Sequence, residues 1–312
     1  MFRRLGEISI PLDQEAEYGR STPMFVEIGF GNGSFIEHHA QNAADTNCVG
    51  AEVSLSSLNR AYKRIRRSGL TNVRLLQCDG EFLVRYVVPP ASVAQVAVNF
   101  PDPWPRRRHE SRRLLSSEFF KLVSSRLMND GRVCLATDDK DYFEFARVQA
   151  QASELFDETI LDPPEACLHT RYASKWLAAN RSINYVEFQL RDGPEPRESE
   201  LPGGDMHHAF LTGTLPELTA EEKSIVRVGN AEIVVLDILK KSAPDGYIFI
   251  VMVQEEGLRQ DILIEVRPHR DGYHVGLIRF GSPILTTGIA EAVRLVAARL
   301  EESGMKIEDT WY

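Results

Sequence analysis

The sequence predicts a doubly wound α/β sheet followed by a smaller C-terminal α+β domain, and three observations predict it. From Met24 to about Leu190, short runs of apolar and β-branched residues alternate with longer stretches of helical period, as in parallel strands joined by helices. Residues 192–204 then read DGPEPRESELPGG, whose proline, glycine and charge mark a linker. Beyond it, consecutive β-rich runs separated by turns precede one helix with an apolar face. The expected boundaries are an N-terminal segment 1–22, the α/β domain 23–192, the linker 193–204 and the extension 205–312.

In chain order, strands are expected over 24–28, 47–52, 73–77, 93–99, 132–137 and 183–190, each a short β-rich run. Helices are expected over 34–41, 56–68, 116–128 and 140–150, the second led by Ser54 as N-cap. Ligands of such sheets sit at the carboxyl ends of the strands. In the extension, strands are expected over 224–228, 231–239, 247–254, 260–267 and 272–280. Pro244-Asp245-Gly246 and Asp271-Gly272 are its turns. The closing helix, 288–302, carries Ile289, Ala292, Val293, Val296, Ala297 and Leu300 on one side.

Composition bounds the function. With 312 residues, 43% hydrophobic and 26% charged, the chain has ordinary globular character and length for a sizeable core. Cys48, Cys78, Cys134 and Cys167 stand singly, which points away from a disulfide framework or a structural zinc site and toward a reducing, cytoplasmic location. Residues 1–18 mix charge with isolated apolar residues, and no apolar run is long enough to cross a bilayer, so no export signal, membrane partner or metal is expected. The net charge of -9 is uneven: 201–312 hold 11 Lys/Arg against 17 Asp/Glu, leaving 25 against 28 in the first 200. Basic residues bunch at Arg60, Lys63, Arg64, Arg66 and Arg67, and again at Arg106, Arg107, Arg108, Arg112 and Arg113. Screening over about 8 Å lets such clusters bind phosphates despite an acidic total. For the first cluster a merely solvated helix face fits as well.

The candidate chemistry lies at the strand ends. The first strand runs into Glu27-Ile28-Gly29-Phe30-Gly31-Asn32-Gly33, whose glycines let backbone turn tightly against a ligand. Ser34 occupies the third glycine position of the dinucleotide fingerprint, which disfavours a nicotinamide-dependent dehydrogenase. An acid there, Glu27, suits a cationic amino-acid end better than a phosphate. Glu52 ends the second strand, where a carboxylate can take both hydroxyls of an adenosine ribose. Asp79 ends the third, placed either for an adenine amino group or for a helix cap. The fourth ends in Asn99-Phe100-Pro101-Asp102-Pro103-Trp104-Pro105-Arg106, where three prolines hold one carboxylate before any substrate arrives.

The segments FVEIGFGNGSF, VGAEVS, QCDGEF, NFPDPWPRRRHESRR and LATDD, in this order and spacing, resemble the bacterial tRNA (guanine-N7-)-methyltransferase family over roughly residues 24–190. The resemblance implies a Rossmann-like methyltransferase sheet, S-adenosyl-L-methionine as cofactor and tRNA as partner. Its target would be a guanine in the variable loop, position 46. It implies cofactor contacts from Glu27, Gly29, Gly31, Glu52, Asp79, Asn99 and Asp102, with Asp102 also catalytic. It implies substrate contacts from Arg106, Asp138, Thr170 and Tyr172. The family's Thr-x-Tyr/Phe-Glu stands here as Thr170-Arg171-Tyr172-Ala173, and the missing acid leaves Glu165, Glu187 or a looser grip on the guanine. Another Rossmann-like RNA methyltransferase and a noncatalytic RNA-binding subunit are the alternatives. The extension serves stability or self-association, or positions the tRNA body; whether the chain is monomer or homodimer stays open.

Overall fold

A computed structural model describes residues 1–168, 182–192, 207–218, 225–255 and 258–311. Two compact units divide the chain, Met1–Ser199 and Glu200–Tyr312. The expected linker 193–204 and the residues Thr170, Tyr172 and Ala173 lie outside the described residues.

The first unit is built on an eight-stranded sheet ordered β1-β4-β3-β2-β5-β6-β8-β7. Its strands are β1 (Phe2–Arg3), β2 (Met24–Ile28), β3 (Asn47–Ala51), β4 (Val73–Leu76), β5 (Val93–Asn99), β6 (Leu127–Thr137), β7 (Phe156–Leu161) and β8 (Asn184–Leu190). Every pairing is parallel except those of β8, which runs antiparallel to β6 and β7. The central strands β2, β3 and β4 are buried at every position, as parallel strands covered on both faces must be. Strand order reverses between β2, whose crossover leads to β3, and β5 on its other side. The crevice at that switch point is where ligands of such sheets bind.

Helices α1 (Gln14–Tyr18), α2 (Ser34–Asn42) and α3 (Leu55–Ser68) precede β4 in the chain. A helical turn α4 (Gly80–Phe82), a π-helical segment Leu83–Val87, α5 (Ser117–Ser124) and α6 (Lys140–Ser153) follow, and then the short α7 (Glu165–Leu168). Ser54 caps α3 as expected, its side chain accepting the Ser57 N–H. The helix expected over 116–128 is shorter. It ends at Ser124, and Met128 already belongs to β6. The cause is Arg126, 1% exposed, whose guanidinium donates to the carbonyls of Val84 and Arg85 and pulls the chain out of the helix.

The second unit is a seven-stranded antiparallel sheet ordered β10-β11-β12-β13-β14-β9-β15. It comprises β9 (His208–Thr212), β10 (Ile225–Val228), β11 (Ala231–Ser242), β12 (Asp245–Glu255), β13 (Leu258–His269), β14 (Gly272–Leu277) and β15 (Lys306–Trp311), with α8 (Thr287–Glu302). Strand β12 alternates buried and half-buried residues. Its Phe249, Val251 and Val253 share one core with Ile289, Val293, Val296 and Leu300 of α8. The β11–β12 hairpin turns at Ala243-Pro244, joined by a cis peptide, and Asp245 and Gly246 of the expected turn are strand residues.

Candidate functional site

Glu27 ends β2 with 2% exposure. Its Oε1 accepts the Asn99 side-chain amide at 3.2 Å, and its Oε2, buried too, meets no hydrogen-bond donor among the described residues. Burial pushes its pKa up to about 8, opposed by the Asn99 amide and by the nearby Ile36 N–H. Behind Asn99, the Cys167 thiol of α7 donates to Oδ1 at 3.6 Å and so fixes which end of that amide faces Glu27. Cys167 itself is raised to about 12 by burial and keeps its proton. Neither Cys167 nor this chain of contacts was signalled by the sequence.

The glycine turn follows. Gly29, Gly31 and Gly33 all have positive φ, +73°, +55° and +75°. Gly33 is also bound by space, because a Cβ there would stand 2.7 Å from Ala61 Cβ of α3. The turn therefore presses α2 onto α3. Gly31 N–H donates to Glu52 Oε2 at 2.9 Å, and Ser54 N–H to Glu52 Oε1 at 2.8 Å. Each carboxylate oxygen keeps a further lone pair for hydroxyl donors. Asp79 does cap α4, its Oδ1 accepting the Phe82 N–H at 2.7 Å, while burial raises its pKa against that bond. A cleft is lined by Glu27, Gly31, Asn32, Arg60, Asn99 and Phe100 among others.

Asp102 is exposed, on the loop that leaves β5. Phe100 and Trp104 on either side take positive φ, +53° and +43°, a conformation that costs non-glycine residues energy and is held by the surroundings. Phe100 N–H donates to the Ala136 carbonyl of β6 at 2.7 Å, and Arg113 Nε donates to the Pro103 carbonyl at 3.0 Å. The Arg112 guanidinium lies over the Trp104 ring at 4.9 Å. The loop is thus clamped from the sheet and from its own arginines. Exposed Arg106 immediately precedes a 3-10 helix, Arg107–Arg112. Asp138 leaves the carboxyl end of β6, half-buried, next to Asp139, which caps α6.

Glu27, Gly29, Gly31, Glu52, Asn99 and the Asp102 loop therefore meet along one sheet edge at the β2/β5 switch point, with Asp79 and Asp138 at the ends of β4 and β6. Of the acids considered for the missing motif position, Glu187 is engaged by the Tyr185 hydroxyl at 2.8 Å and by Arg132 at 3.6 Å, and Glu165 lies on α7. Among the described residues no cluster of three or more His, Cys, Asp or Glu could hold a metal, and no helix is long and apolar enough to cross a membrane.

A family model described as "Putative methyltransferase" matches residues 21–185. A tRNA (guanine-N(7)-)-methyltransferase of Thermus thermophilus is 42% identical and covers 95% of both chains. Those of Deinococcus radiodurans and Thermotoga maritima are 36% and 33% identical, over 100% and 94% of both chains. Among solved structures, an antibiotic-related methyltransferase aligns at 19% identity with a TM-score of 0.42, covering 56% of this chain and 90% of its own, a likeness too distant to add to the topology. Matched along nearly its whole length, with a cleft of strand-end acids at the switch point of its sheet, this chain belongs to the bacterial tRNA (guanine-N7-)-methyltransferase family.

Proposed function

We propose that the protein transfers a methyl group from S-adenosyl-L-methionine to N7 of a guanine in tRNA, in the cytoplasm, at position 46 of the variable loop. The observation that carries the cofactor reading is the Oε2 of Glu27 at the cleft, buried and without a partner among the described residues. A carboxylate forced toward its protonated form by burial is answered by a cation, and the amino group of the cofactor's amino-acid end is one. The free lone pairs of Glu52 suit ribose hydroxyls, and positive-φ glycines leave the turn without side chains against the ligand. Asp79 is assigned to the adenine end and Asn99 to the amino-acid end. Bound there, the cofactor supplies an activated methyl on a sulfonium.

What the protein must add is small. Guanine N7 carries an in-plane lone pair and no proton, so no strong base is needed, and holding the reacting atoms in line supplies most of the acceleration. As N7 takes up the methyl, the purine becomes electron-poor and its N1 and amino hydrogens become stronger donors. A carboxylate held ready for them binds the transition state better than the ground state. Asp102 has that position in the reading, on a loop clamped before the substrate arrives. Arg106 and Asp138 flank it as substrate contacts, and Thr170 and Tyr172 are assigned by motif.

Asp102→Ala tests this. Single-turnover methylation at saturating tRNA should fall about 100-fold or more with cofactor affinity changed far less. A rate within about threefold of wild type would exclude Asp102 from the chemistry.

A further inference from the structure

Several surface cations of the first unit have a carboxylate. Arg64 pairs with Glu37, Arg85 with Glu81, Lys121 with Glu118, Arg147 with Glu144 and Glu158, and Arg191 with Asp157. Apart from Arg64, the cations of helix α3 are different. Arg60, Lys63, Arg66 and Arg67 are all exposed and, among the described residues, none has an ion pair; Arg60 donates only to the Ser57 hydroxyl at 3.0 Å. The chain has acids in excess, at net charge -9, yet among the described residues none answers these four.

Their placement is ordered. At 3.6 residues per turn, Arg60, Lys63 and Arg67 fall within an arc of about 60°. Leu58, Ala61 and Ile65 are buried on the other side. Arg60 lines the cleft, so the strip begins at its rim, and Arg67 lies about 10 Å further along the helix axis. Arg66 lies about 60° beyond Lys63, outside that arc. Lys63 and Arg67 stand one turn apart, where like charges repel. The helix dipole accounts for cations in the last turn, Arg66 and Arg67, but not for Arg60 and Lys63 in the middle of the helix. A row of uncompensated cations leading outward from a cleft is suited to a linear polyanion whose end enters that cleft.

We propose that Arg60, Lys63 and Arg67 form a track for the sugar-phosphate backbone of the tRNA whose guanine enters the cleft. This rests on the functional reading above and adds a second phosphate-binding surface to the one around Arg106.

The test uses the full chain as a Lys63→Gln/Arg67→Gln double variant, leaving Arg60 intact because it lines the cofactor cleft. Affinity for unmodified tRNA is measured from about 50 to 200 mM salt. The double variant should bind about tenfold more weakly at the low-salt end, and its log-log salt slope should shrink by about two. Lys63→Arg/Arg67→Lys should restore both. Calorimetric affinity for S-adenosylhomocysteine and kcat at saturating tRNA should stay at wild-type values, which shows the fold and the cleft intact. Arg66→Gln, removing an equal charge off the strip, should leave the slope nearly unchanged. A double variant with wild-type affinity and slope overturns the track, as does an Arg66→Gln effect of the same size per charge. If wild type itself neither binds tRNA nor methylates guanine N7, the functional reading fails and the track with it. If wild type does both and the double variant is unaltered, only the track fails.

Discussion

Each unit buries a glutamate at the end of a strand, and the two are treated in opposite ways. Glu255, at the end of β12 and 5% exposed, is fully answered: the Thr286 hydroxyl donates to Oε2 at 2.5 Å and the Gly288 N–H to Oε1 at 3.1 Å, at the start of α8 where the helix dipole favours an anion. Glu27, at the end of β2 and 2% exposed, has one oxygen on Asn99 and, among the described residues, no donor for the other. The first arrangement completes a fold; the second waits for something outside it. Burial alone does not distinguish a structural acid from a binding one, but unmet hydrogen-bonding capacity does.

If that contrast holds, the two acids should respond oppositely to removal. Glu255→Ala strands the Thr286 hydroxyl and the Gly288 N–H without an acceptor and should destabilise the protein by about 2–4 kcal/mol in denaturant unfolding, with S-adenosylhomocysteine affinity unchanged. Glu27→Gln should do the reverse. The free protein should gain about 2 kcal/mol near pH 7.5, and cofactor affinity should drop at least about tenfold. The pH dependence has a definite sign. Glu27 keeps its proton in the fold up to about 8, whereas an unperturbed glutamate releases it near 4.5. Between these values the folded state holds more protons, so the contribution is fully present below 4.5 and is lost as pH rises through about 8. Stability melts from pH 5 to 8 should therefore slope downward in wild type and lose that component in Glu27→Gln. The smallest effect tests the frame around the cleft. Ser54→Ala removes the α3 cap and should cost about 1 kcal/mol in the same unfolding measurement.

The central strands were legible because parallel strands buried on both faces read as short unbroken apolar runs. Strands β2 and β5 appear at their expected bounds of 24–28 and 93–99. The edges were not legible. β7 has one buried residue in six, and β15 none, so no apolar alternation marks them. β1 has only two residues and exists through its pairing with β4. The end of α5 depends on where a buried Arg126 finds carbonyls from residues some forty positions away, which no local pattern carries. At the site, acids at strand ends could be read from spacing. That Cys167 orients Asn99, and Asn99 orients Glu27, could not, because α7 reaches β5 only through the fold.

The contact of Gly33 with Ala61 has a consequence for how this sequence can change with time. With a Cβ at 33 only 2.7 Å from Ala61 Cβ, there is no long side chain whose tip could swing aside, and a methyl group at 33 would strike a methyl group already attached to backbone. Nor can residue 61 grow, since it is wholly buried in the same contact. Each position holds the other small, so neither can be the first to vary, and the distance between the two helices is inherited as a pair.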